Sequence, residues 1–524
     1  MKKRQGMRRV LYSCLLAAVA AMALTFAAHA AEQVLNVYPG ENITSKFNKA
    51  AKAARSDPGH TTIVIPPGIY SVDQLKIYGN TTLSMQGVTL VNADSTHSML
   101  RLGAKKADWD QYDNGAGRKG YSPDFSDIHF IGGTWDGNNY PVCIMQMGHA
   151  QNLSFEGVTF QNVNSSHHLE FGGCQNIRIL NCRFTGYSGN FGNSYNGEAI
   201  QFEILSYRGR SHFAGYHSTT DETPCRNVEI SGCTFEGLKR GVGSHTAIAN
   251  GYFSGFRIHD NVFRNITGYA ISMLNYVDSS VYSNNITQCG AGIMCAASMS
   301  NHGNFYASSL YSNARGVPMN FNCQIANNTM AIDRGANGAY YNNPNFGIWV
   351  FGEKLSRKTG TIPAGDWRVS GVTVSGNSVT MNVAAPGIYL QGTVGVNVSQ
   401  NTVICNYMVG GKSGVGSGIK ISRGENDSVT GNDIHNLNTF GPGQSMIGIY
   451  VCNKTRLARI EGNVMENSGS DGIRVKNSSG IVINNNNINI HGGYGIRASR
   501  KQLMQEIGNV ISGGRKKQRS WKKK

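Results

Sequence analysis

The chain repeats a short segment along most of its length, and this internal repeat constrains its fold more than any other feature. Strand-like runs such as FEGVTF, IHDNVF and VSQNTV contain a small or Asn residue that is followed, two positions later, by an aromatic or aliphatic residue. The equivalent positions are Gly133, Val158, Cys182, Cys233, Asn261, Asn285, Asn328, Asn377, Asn401, Asn432, Asn463 and Asn487. Their spacing returns repeatedly to 24 residues and is longer elsewhere. This period predicts the coils of a three-sided parallel β-helix with inserted loops.

The repeat covers nearly the whole chain, and no linker or second domain is visible. Stacked coils place neighbouring strands about 4.8 Å apart, so equivalent side chains form columns, and Asn suits the turns because it tolerates the left-handed backbone conformation. Residues 42–56 read as a short amphipathic helix that would cover the open first edge of the stack. We expect an all-β fold over residues 31–514, a single-stranded right-handed parallel β-helix of about fourteen coils with an N-terminal capping helix.

The two ends of the chain differ from the body. Basic residues precede an apolar run from Leu11 to Ala28 that ends in Ala-His-Ala, the pattern of a signal peptide (residues 1–30) cleaved after Ala30. A retained membrane anchor is the alternative, but the run is shorter than the roughly 20 residues that a bilayer span needs. Residues 515–524 form a basic tail that either keeps the protein soluble or contacts an anionic cell surface.

The net charge of +17 does not indicate a nucleic-acid binding protein. Five of the positive charges lie in the signal peptide and seven in the tail, which leaves the body at +5. A body so close to neutral, in a chain with 65 glycines and many asparagines, lacks the basic groove that nucleic acid requires. We expect a secreted or cell-surface protein with no nucleic-acid partner and no membrane span.

Ten cysteines remain once Cys14 is removed with the signal peptide. Their spacing has neither the paired form nor the His companions of a zinc site, and we expect no metal and no other cofactor. Cys182 and Cys233 fall at one repeat position, and Cys174 and Cys225 at another. They are either stacked thiols in the core, the interpretation we favour, or close enough for disulfides in an oxidising compartment.

A second strand in each coil carries a Gly/Ala-Ile-x-aliphatic pattern, as in AIQF, GIWV, GIYL and GIRV. Where the repeat spacing exceeds 24 residues, the extra residues lie just before or just after this strand, at 186–197, 203–224, 296–318, 329–346, 353–366, 406–417 and 436–447. Loops at both ends of one strand type would wall a groove over one sheet, and repeat proteins commonly bind ligands on such a face.

Period-two alternation assigns the side chains of this strand to the core or to the groove. The Ile and the next aliphatic residue point inward, and the residue between them points outward. The outward residues of successive coils are Gln146, Glu170, Gln201, Gly243, Ser272, Met294, Trp349, Tyr389, Lys420, Tyr450, Arg474 and Arg497. A neighbouring outward column contains Gly172, Glu203, His245, Phe351, Gln391, Ser422 and Lys476.

Two carboxylates and an imidazole converge on three successive coils of this face. Glu170 and Glu203 are one coil and two residues apart, about 8 Å by strand geometry, which is within the range of the paired acids of inverting glycosidases. His245 would stack beside Glu203 and assist proton transfer. Gln201 and His168 would contact the substrate. The alternative is an ordinary polar sheet face that carries no chemistry.

Aromatic and basic residues extend the groove toward the C-terminus. Trp349, Tyr389 and Tyr450 share the outward face, and exposed aromatic rings stack on sugar rings. If loops cover these rings, they are hydrophobic filler instead. A basic stripe follows, made of Lys420, Arg474, Lys476 and Arg497. It suits an acidic polysaccharide, such as a uronate or sulfated polymer, or is an ordinary solvated face.

The segments IVIPPGIY, NTTLSMQGVTLV and IHFIGGTWDGNN resemble the opening coils of the pectate-lyase-like superfamily, in particular its polygalacturonase-type members. The later coils resemble the right-handed β-helix repeat of the same superfamily. The resemblance implies a polysaccharide substrate. The catalytic motifs of polygalacturonases are not matched: GVGSH only echoes Gly-His-Gly, GIKISR only echoes Arg-Ile-Lys, and their catalytic aspartates have no counterpart. The reaction therefore stays open.

Two functions of different classes fit these observations. The first is a secreted enzyme that cleaves an extracellular polysaccharide, with a glycoside hydrolase favoured and a lyase second, in which His245 would be the base. The other is a non-catalytic surface adhesin or glycan-binding protein. Paired acids at a workable spacing favour the enzyme, and the missing family motifs favour the binder.

Overall fold

The computed structural model describes most of the chain. The described residues are 31–56, 59–103, 121–189, 191, 197–204, 222–244, 246–248, 251–297, 304–306, 320–333, 345–357, 364–406, 416–436, 446–468, 470–490, 492–513 and 520–521. Outside them lie the predicted signal peptide, His245 and all but two residues of the basic tail. Most of the residues inserted next to the Gly/Ala-Ile-x-aliphatic strand also lie outside them.

Three long parallel sheets build the fold. The first sheet contains Ala31–Val34, Thr61–Val64, Thr81–Ser84, Ser126–Ile131, Gln151–Glu156, Gln175–Leu180, Arg226–Ser231, Phe253–His259, Tyr276–Val277, Ser280–Tyr282, Cys323–Ala326, Val372–Ser375, Asn397–Ser399, Ser428–Thr430, Arg459–Glu461, Ile481–Asn484 and Leu503–Ile507. The second sheet contains Gly68–Val72, Val88–Asn92, Thr134–Tyr140, Thr159–Asn164, Arg183–Ser188, Thr234–Glu236, Val262–Arg264, Asn285–Cys289, Thr329–Ile332, Ser378–Met381, Thr402–Cys405, Asp433–Asn436, Val464–Ser468, Asn487–Ile490 and Val510–Ser512. The third sheet contains Leu75–Ile77, Leu100–Leu102, Met145–Gly148, Leu169–Gly172, Glu198–Glu203, Arg240–Gly243, Tyr269–Leu274, Ala291–Ala296, Ile348–Phe351, Ile388–Gln391, Gly416–Ser422, Met446–Cys452, Ile473–Val475, Ile496–Ala498 and Ser520–Trp521.

The chain visits the first, second and third sheets in turn, and each circuit is one coil of a parallel β-helix. The second and third sheets each contain 15 strands, one more than the roughly fourteen coils expected from the repeat. Three short pairs lie outside these sheets: Thr246–Ile248 with Asn304–Tyr306, Glu353–Leu355 with Gly365–Trp367, and Val369–Ser370 with Thr393–Val394. The predicted three-sided coil is confirmed.

Inward side chains of the three sheets fill one continuous core. In the strand Gln175–Leu180, Ile177 and Ile179 are fully buried whereas Arg178 points to solvent. Equivalent rings of neighbouring coils stack, with centroids 4.7 Å apart for Phe130–Phe155, 4.8 Å for Phe184–Phe235 and 4.5 Å for Phe235–Phe263. Each fully buried side chain of this size stabilises the fold by about 1.5–3 kcal/mol, so the core stabilises the stack along its length.

A ladder of asparagine side chains, buried except at its partly exposed last rung Asn509, follows the turn between the first and second sheets. Its rungs are Asn261, Asn284, Asn328, Asn377, Asn401, Asn432, Asn463, Asn486 and Asn509. At Asn328, Nδ2 donates to Oδ1 of Asn377 at 2.9 Å and to the carbonyl oxygen of Val281 at 3.0 Å. The pattern repeats from coil to coil, so the ladder ties each turn to the next.

The ladder corrects the repeat alignment at two coils. Asn284 and Asn486 are the rungs there, whereas Asn285 and Asn487 are exposed at the start of second-sheet strands. The left-handed conformation expected of the turn Asn belongs instead to the residue before the rung, as at Ser283 with φ 55°. Asparagine is needed at the rung for its amide, which both donates and accepts between coils.

The ten cysteines that follow Cys14 are all reduced and buried. The backbone N–H of Cys174 lies 3.4 Å from Sγ of Cys225. Cys182 stands in the same relation to Cys233, also at 3.4 Å. The stacked-thiol interpretation is confirmed for these two pairs.

The helix Thr44–Ala54 covers the N-terminal end of the stack, close to the 42–56 predicted. It buries Phe47 and Ala51 against the first coils. Oδ1 of Asn48 accepts the backbone N–H of Lys76 at 2.7 Å, which pairs a donor at the open edge of the third sheet. Two short 3-10 helices are Pro123–Phe125 and Arg500–Gln502. In the described parts of the chain, no helix combines the length and the apolar character that a bilayer span requires.

Candidate functional site

The outward column predicted for the third sheet exists residue for residue. Its members pair in parallel register in the order Gln146, Glu170, Gln201, Gly243, Ser272, Met294, Trp349, Tyr389, Lys420, Tyr450, Arg474 and Arg497. Leu169 and Phe171 are buried in the core, so Glu170 between them points outward. We call the outer side of this sheet the third-sheet face.

Glu170 and Glu203 lie on adjacent strands of the third-sheet face. Glu170 pairs with Gln201, and Glu203 pairs with Gly172, so the acids are one coil and two residues apart as predicted. Nε2 of Gln146 donates to Oε2 of Glu170 at 2.7 Å. Nε2 of Gln201 donates to Oε1 of Glu203 at 2.6 Å. Each acid is 2% exposed, so both carboxylates are held by amides and almost completely shielded from water.

A third carboxylate, that of Glu198, was missed by the sequence reasoning. It begins the strand that carries Glu203, is 1% exposed, and accepts a hydrogen bond at Oε1 from Nη1 of Arg240 at 2.5 Å. Nδ1 of His167 lies 2.8 Å from the Glu198 carbonyl oxygen and 3.8 Å from its Oε2. These residues occupy the corner where the second sheet leads into the third, outside the Ile-x-aliphatic pattern. The motif GEAIQFE, with an acid at each end of one strand, was the available signal.

Lys239 adds a second buried cation beside Arg240. Burial, reinforced by repulsion from Arg240 and opposed by Glu198, lowers the pKa of Lys239 to about 8. Glu198 therefore lies beside one permanent cation and one cation with a lowered pKa. We call Glu170, Glu198 and Glu203 the acidic cluster.

His168 was predicted to contact the substrate, but it does not face the groove, so that prediction was wrong. Its side chain is fully buried and packs edge-on against Phe184, with ring centroids 5.9 Å apart. Nε2 lies 3.0 Å from the carbonyl oxygen of Thr185. Burial lowers the pKa of His168 to about 4, so the ring is neutral at physiological pH. The chain turns into the third sheet here, which directs His168 inward and leaves His167 beside Glu198.

Gln201 and His245 were also predicted to belong to the site. Gln201 is fully buried and directs its amide to Glu203, so it supports an acid instead of presenting a surface contact. His245, the third member of the predicted catalytic trio, lies outside the described residues.

Trp349 is not an exposed platform for a sugar ring, which corrects that prediction. Its side chain points outward but is 3% exposed, because Phe346 and Phe351 pack against it with centroids 5.0 and 4.9 Å away. Tyr389 lies parallel to it at 5.9 Å and 4°. The indole is therefore covered and fills space between apolar side chains, which is the alternative expected if other segments cover the ring.

The C-terminal part of the third-sheet face remains partly open. Tyr389, Lys420 and Tyr450 are partly exposed, and Nζ of Lys420 lies 4.6 Å from the centroid of the Tyr389 ring. The Arg474 guanidinium is also partly exposed and donates through Nε to the carboxylate of Asp471. The face is thus divided into an acidic cluster, an apolar centre and a basic end.

Comparison with known families finds one match. The sequence model of the family described as periplasmic copper-binding protein (NosD) matches residues 370–517, which is less than half of the chain. No curated protein sequence matches the chain.

Solved structures of similar shape cover most of the chain. The surface adhesin PfbA of Streptococcus pneumoniae has 16% identity and a TM-score of 0.51, over 84% of this chain and 88% of that one. A mutant tailspike protein of E. coli bacteriophage HK620, in complex with a pentasaccharide, has 15% identity and a TM-score of 0.52, over 91% of this chain and 77% of that one. The chain is a right-handed parallel β-helix protein. At these identities the likeness confirms the resemblance at the level of the fold.

The name of the matching family raises the question of copper. Among the described residues, no group of three or more His, Cys, Asp or Glu side chains is arranged to hold a metal ion. Cys405 and Cys452, the two thiols of the matched segment, are both buried in separate coils. The described donors do not fit a copper site.

Proposed function

We propose that this protein is a secreted, carbohydrate-active β-helix protein that binds an extracellular polysaccharide along the third-sheet face and hydrolyses it at Glu170 and Glu203. The observation that carries the proposal is the register of the two acids. They project from adjacent strands of one face, one coil and two residues apart, and each accepts a hydrogen bond from its own glutamine.

The chemistry follows from the separation of the two acids. Strand geometry places their Cα atoms about 8 Å apart. Two side chains that extend in parallel from one face would hold their carboxyl groups near this separation, which leaves room for a water molecule between a glycosidic bond and one carboxylate. One acid gives its proton to the leaving oxygen as the bond to the anomeric carbon breaks. The other takes a proton from the water that attacks that carbon. Inversion at the anomeric carbon is the expected outcome.

The burial of the acidic cluster supports a functional role. Moving a carboxylate out of water is costly, and an ion pair seldom repays the penalty in full. Nη1 of Arg240 contacts Glu198 at 2.5 Å, and Glu170 and Glu203 each accept a hydrogen bond from a glutamine amide. The same outward slot holds Gly243, Ser272 and Met294 on the next coils. The fold therefore does not require acids here.

A non-catalytic adhesin or glycan-binding protein is the second candidate. The observation that favours it is the 2% exposure of Glu170 and Glu203, which leaves neither carboxylate open to a polymer in this conformation. PfbA, which resembles the chain over 84% of its length, is described as a surface adhesin. On this alternative the acidic cluster is a structural ion network.

Product analysis separates these functions. The mature protein is incubated with a panel of neutral and uronate polysaccharides. New reducing ends without absorbance from unsaturated ends indicate hydrolysis, whereas unsaturated ends indicate a lyase, the variant in which His245 would be the base. Binding without either product supports the adhesin and rejects the enzyme.

Three variants then test the residues. Glu170→Gln and Glu203→Gln should each lower the rate by about a hundredfold or more, the contribution expected of an acid–base catalyst. Glu466→Gln, which changes an acid that is 51% exposed on the second sheet, is the matched control and should retain full activity. Unchanged rates in both test variants would reject this site while leaving the fold untouched.

A further inference from the structure

A concave site lies at the C-terminal end of the third-sheet face. It encloses a volume of about 420 Å³, a size typical of small-molecule sites. Its lining includes Arg474, Lys476, Asn477, Arg497, Ser499 and Gln502. We call it the terminal basic pocket. Three of these six side chains are cationic and none is acidic.

Arg474 is held in place by the residues beneath it. Its Nε donates to Oδ2 of Asp471, and its Nη2 donates to Oγ of Ser470 at 2.9 Å. Asp471 is 1% exposed and accepts the backbone N–H of Tyr494 at 3.0 Å through its other oxygen. The guanidinium is therefore fixed by a buried carboxylate before any ligand arrives, which lowers the entropy cost of binding.

The positive charge of the pocket exceeds what Asp471 neutralises. Nη1 of Arg497 lies 3.7 Å from the same carboxylate, so Arg474 and Arg497 share one negative charge. Lys476 is exposed and adds a third cation. A surplus of two positive charges around a cavity attracts an anion, and guanidinium groups bind carboxylates and sulfates through paired hydrogen bonds.

Neutral donors complete the lining. Oε1 of Gln502 accepts the backbone N–H of Ser499 at 2.8 Å, so the amide nitrogen of Gln502 is the group left to donate to a ligand. The exposed side chain of Asn477 also lines the pocket. Amides beside guanidinium groups match a sugar ring that carries hydroxyls and one anionic group.

We propose that the terminal basic pocket is an anion-recognising sugar subsite that binds a carboxylate- or sulfate-bearing residue of the polysaccharide, at a distance from the acidic cluster. This inference rests on the proposed function for its ligand and names the substrate class as acidic. The strand of Arg474 is eight strand spacings from the strand of Glu203 along the third sheet, which is about 38 Å at about 4.8 Å per spacing. A group so far from the acids anchors a long chain without taking part in bond cleavage.

Direct binding tests the pocket without reference to catalysis. Calorimetry with a short oligouronate, a sulfated oligosaccharide of equal length and a neutral one should show binding of at least one anionic ligand and at least tenfold weaker binding of the neutral one. The affinity should fall with added salt because the attraction is ionic. Equal affinity for all three ligands, or no binding of either anionic one, overturns the proposal.

Matched variants locate the binding. Lys476→Gln combined with Arg497→Gln removes the two most exposed cations and should weaken anionic binding by tenfold or more, while circular dichroism and the melting temperature report folding. Arg459→Gln removes an arginine that is 55% exposed on the first sheet and should leave the affinity unchanged. Equal loss in this control and in the double variant would mean a general charge effect and would reject the pocket.

Chain length distinguishes this inference from the proposed function. If the acidic cluster cleaves the polymer, the double variant should raise KM for a long anionic polymer by several-fold without changing kcat. For fragments too short to span about 38 Å, KM should not change either. Anionic binding without cleavage supports the pocket and rejects the hydrolase. Cleavage with KM insensitive to the double variant rejects the pocket and leaves the hydrolase standing.

Discussion

Gln201 donates a hydrogen bond from Nε2 to Oε1 of Glu203 at 2.6 Å, within one strand of the third sheet. On the neighbouring coil its register partner is Glu170. One amide therefore stands between the two acids of the proposed site and holds one of them directly. Gln201 is fully buried, so its contribution is to position Glu203 and not to contact a polymer from solution.

Replacing Gln201 with Met tests this positioning role. The variant keeps the volume but removes the donor, and a hydrogen bond to a charged group contributes about 1.5–3 kcal/mol. We expect the free energy of unfolding in urea to fall by about that amount and the hydrolysis rate to fall at least tenfold. Gln161→Met is the matched control because Gln161 makes a similar bond to Asp136, at 2.8 Å, on the second sheet. A rate that falls equally in both variants would show a loss of stability alone.

The asparagine ladder offers a test in which neighbouring residues serve as test and control. Nδ2 of Asn284 donates to Asn328 and to the carbonyl of Ile258, both at 2.9 Å, whereas Asn285 is exposed. Asn284→Ala leaves several buried groups without partners, and we expect it to lower the free energy of unfolding by about 3–5 kcal/mol. Asn285→Ala should change it by less than about 0.5 kcal/mol. Similar values for the two would contradict the assignment of the rung.

The sequence was sufficient for the register of the third-sheet face. A fixed period and alternation within each strand determine which residues pair, and both are local properties that loops between strands do not disturb. For this reason the sequence predicts the column from Gln146 to Arg497 across insertions of very different length.

Burial and corner geometry could not be obtained in the same way. Whether Trp349 is open or covered depends on Phe346, on Phe351 and on segments outside the repeat, so the pattern predicted its direction but not its exposure. His167 and His168 are adjacent, and the turn into the third sheet decides which one faces Glu198. The alternation rule applies only within a strand and says nothing about such a turn.

The buried cysteines predict a slow reaction with thiol reagents. Burial raises the pKa of Cys225 and that of Cys289 to about 12, so both thiols stay protonated at pH 8, and the thiolate is the reactive form. We expect a folded protein that lacks residues 1–30 to react slowly with Ellman's reagent at pH 8. After unfolding in guanidinium chloride it should release ten equivalents, since the ten cysteines in the described part of the chain are all reduced. A count below ten that rises to ten only after a reductant is added would reveal disulfides and contradict the stacked-thiol arrangement.

Asp427 should make stability fall as the pH rises from about 4 to about 7. Burial, only partly offset by hydrogen bonds from Thr393 and from the backbone N–H of Val396, raises the pKa of Asp427 to about 7. The ordinary value is near 3.8. Between these two values the folded protein retains a proton that the unfolded chain releases, so the contribution of this group is fully present below about pH 4 and is lost at about 1.4 kcal/mol per pH unit up to about pH 7.

Asp427→Asn removes this titration while keeping a side chain that can hydrogen-bond at the same place. Urea unfolding at several pH values should show a flatter profile between pH 4 and 7 than in the wild type. Asp278→Asn, at an exposed turn position, should leave the wild-type slope in place. The result is decisive because a buried acid that stayed ionised in the folded protein would bind no more protons than the unfolded chain above about pH 4. Its contribution would then be constant up to pH 7, and Asp427→Asn would leave the slope between pH 4 and 7 unchanged.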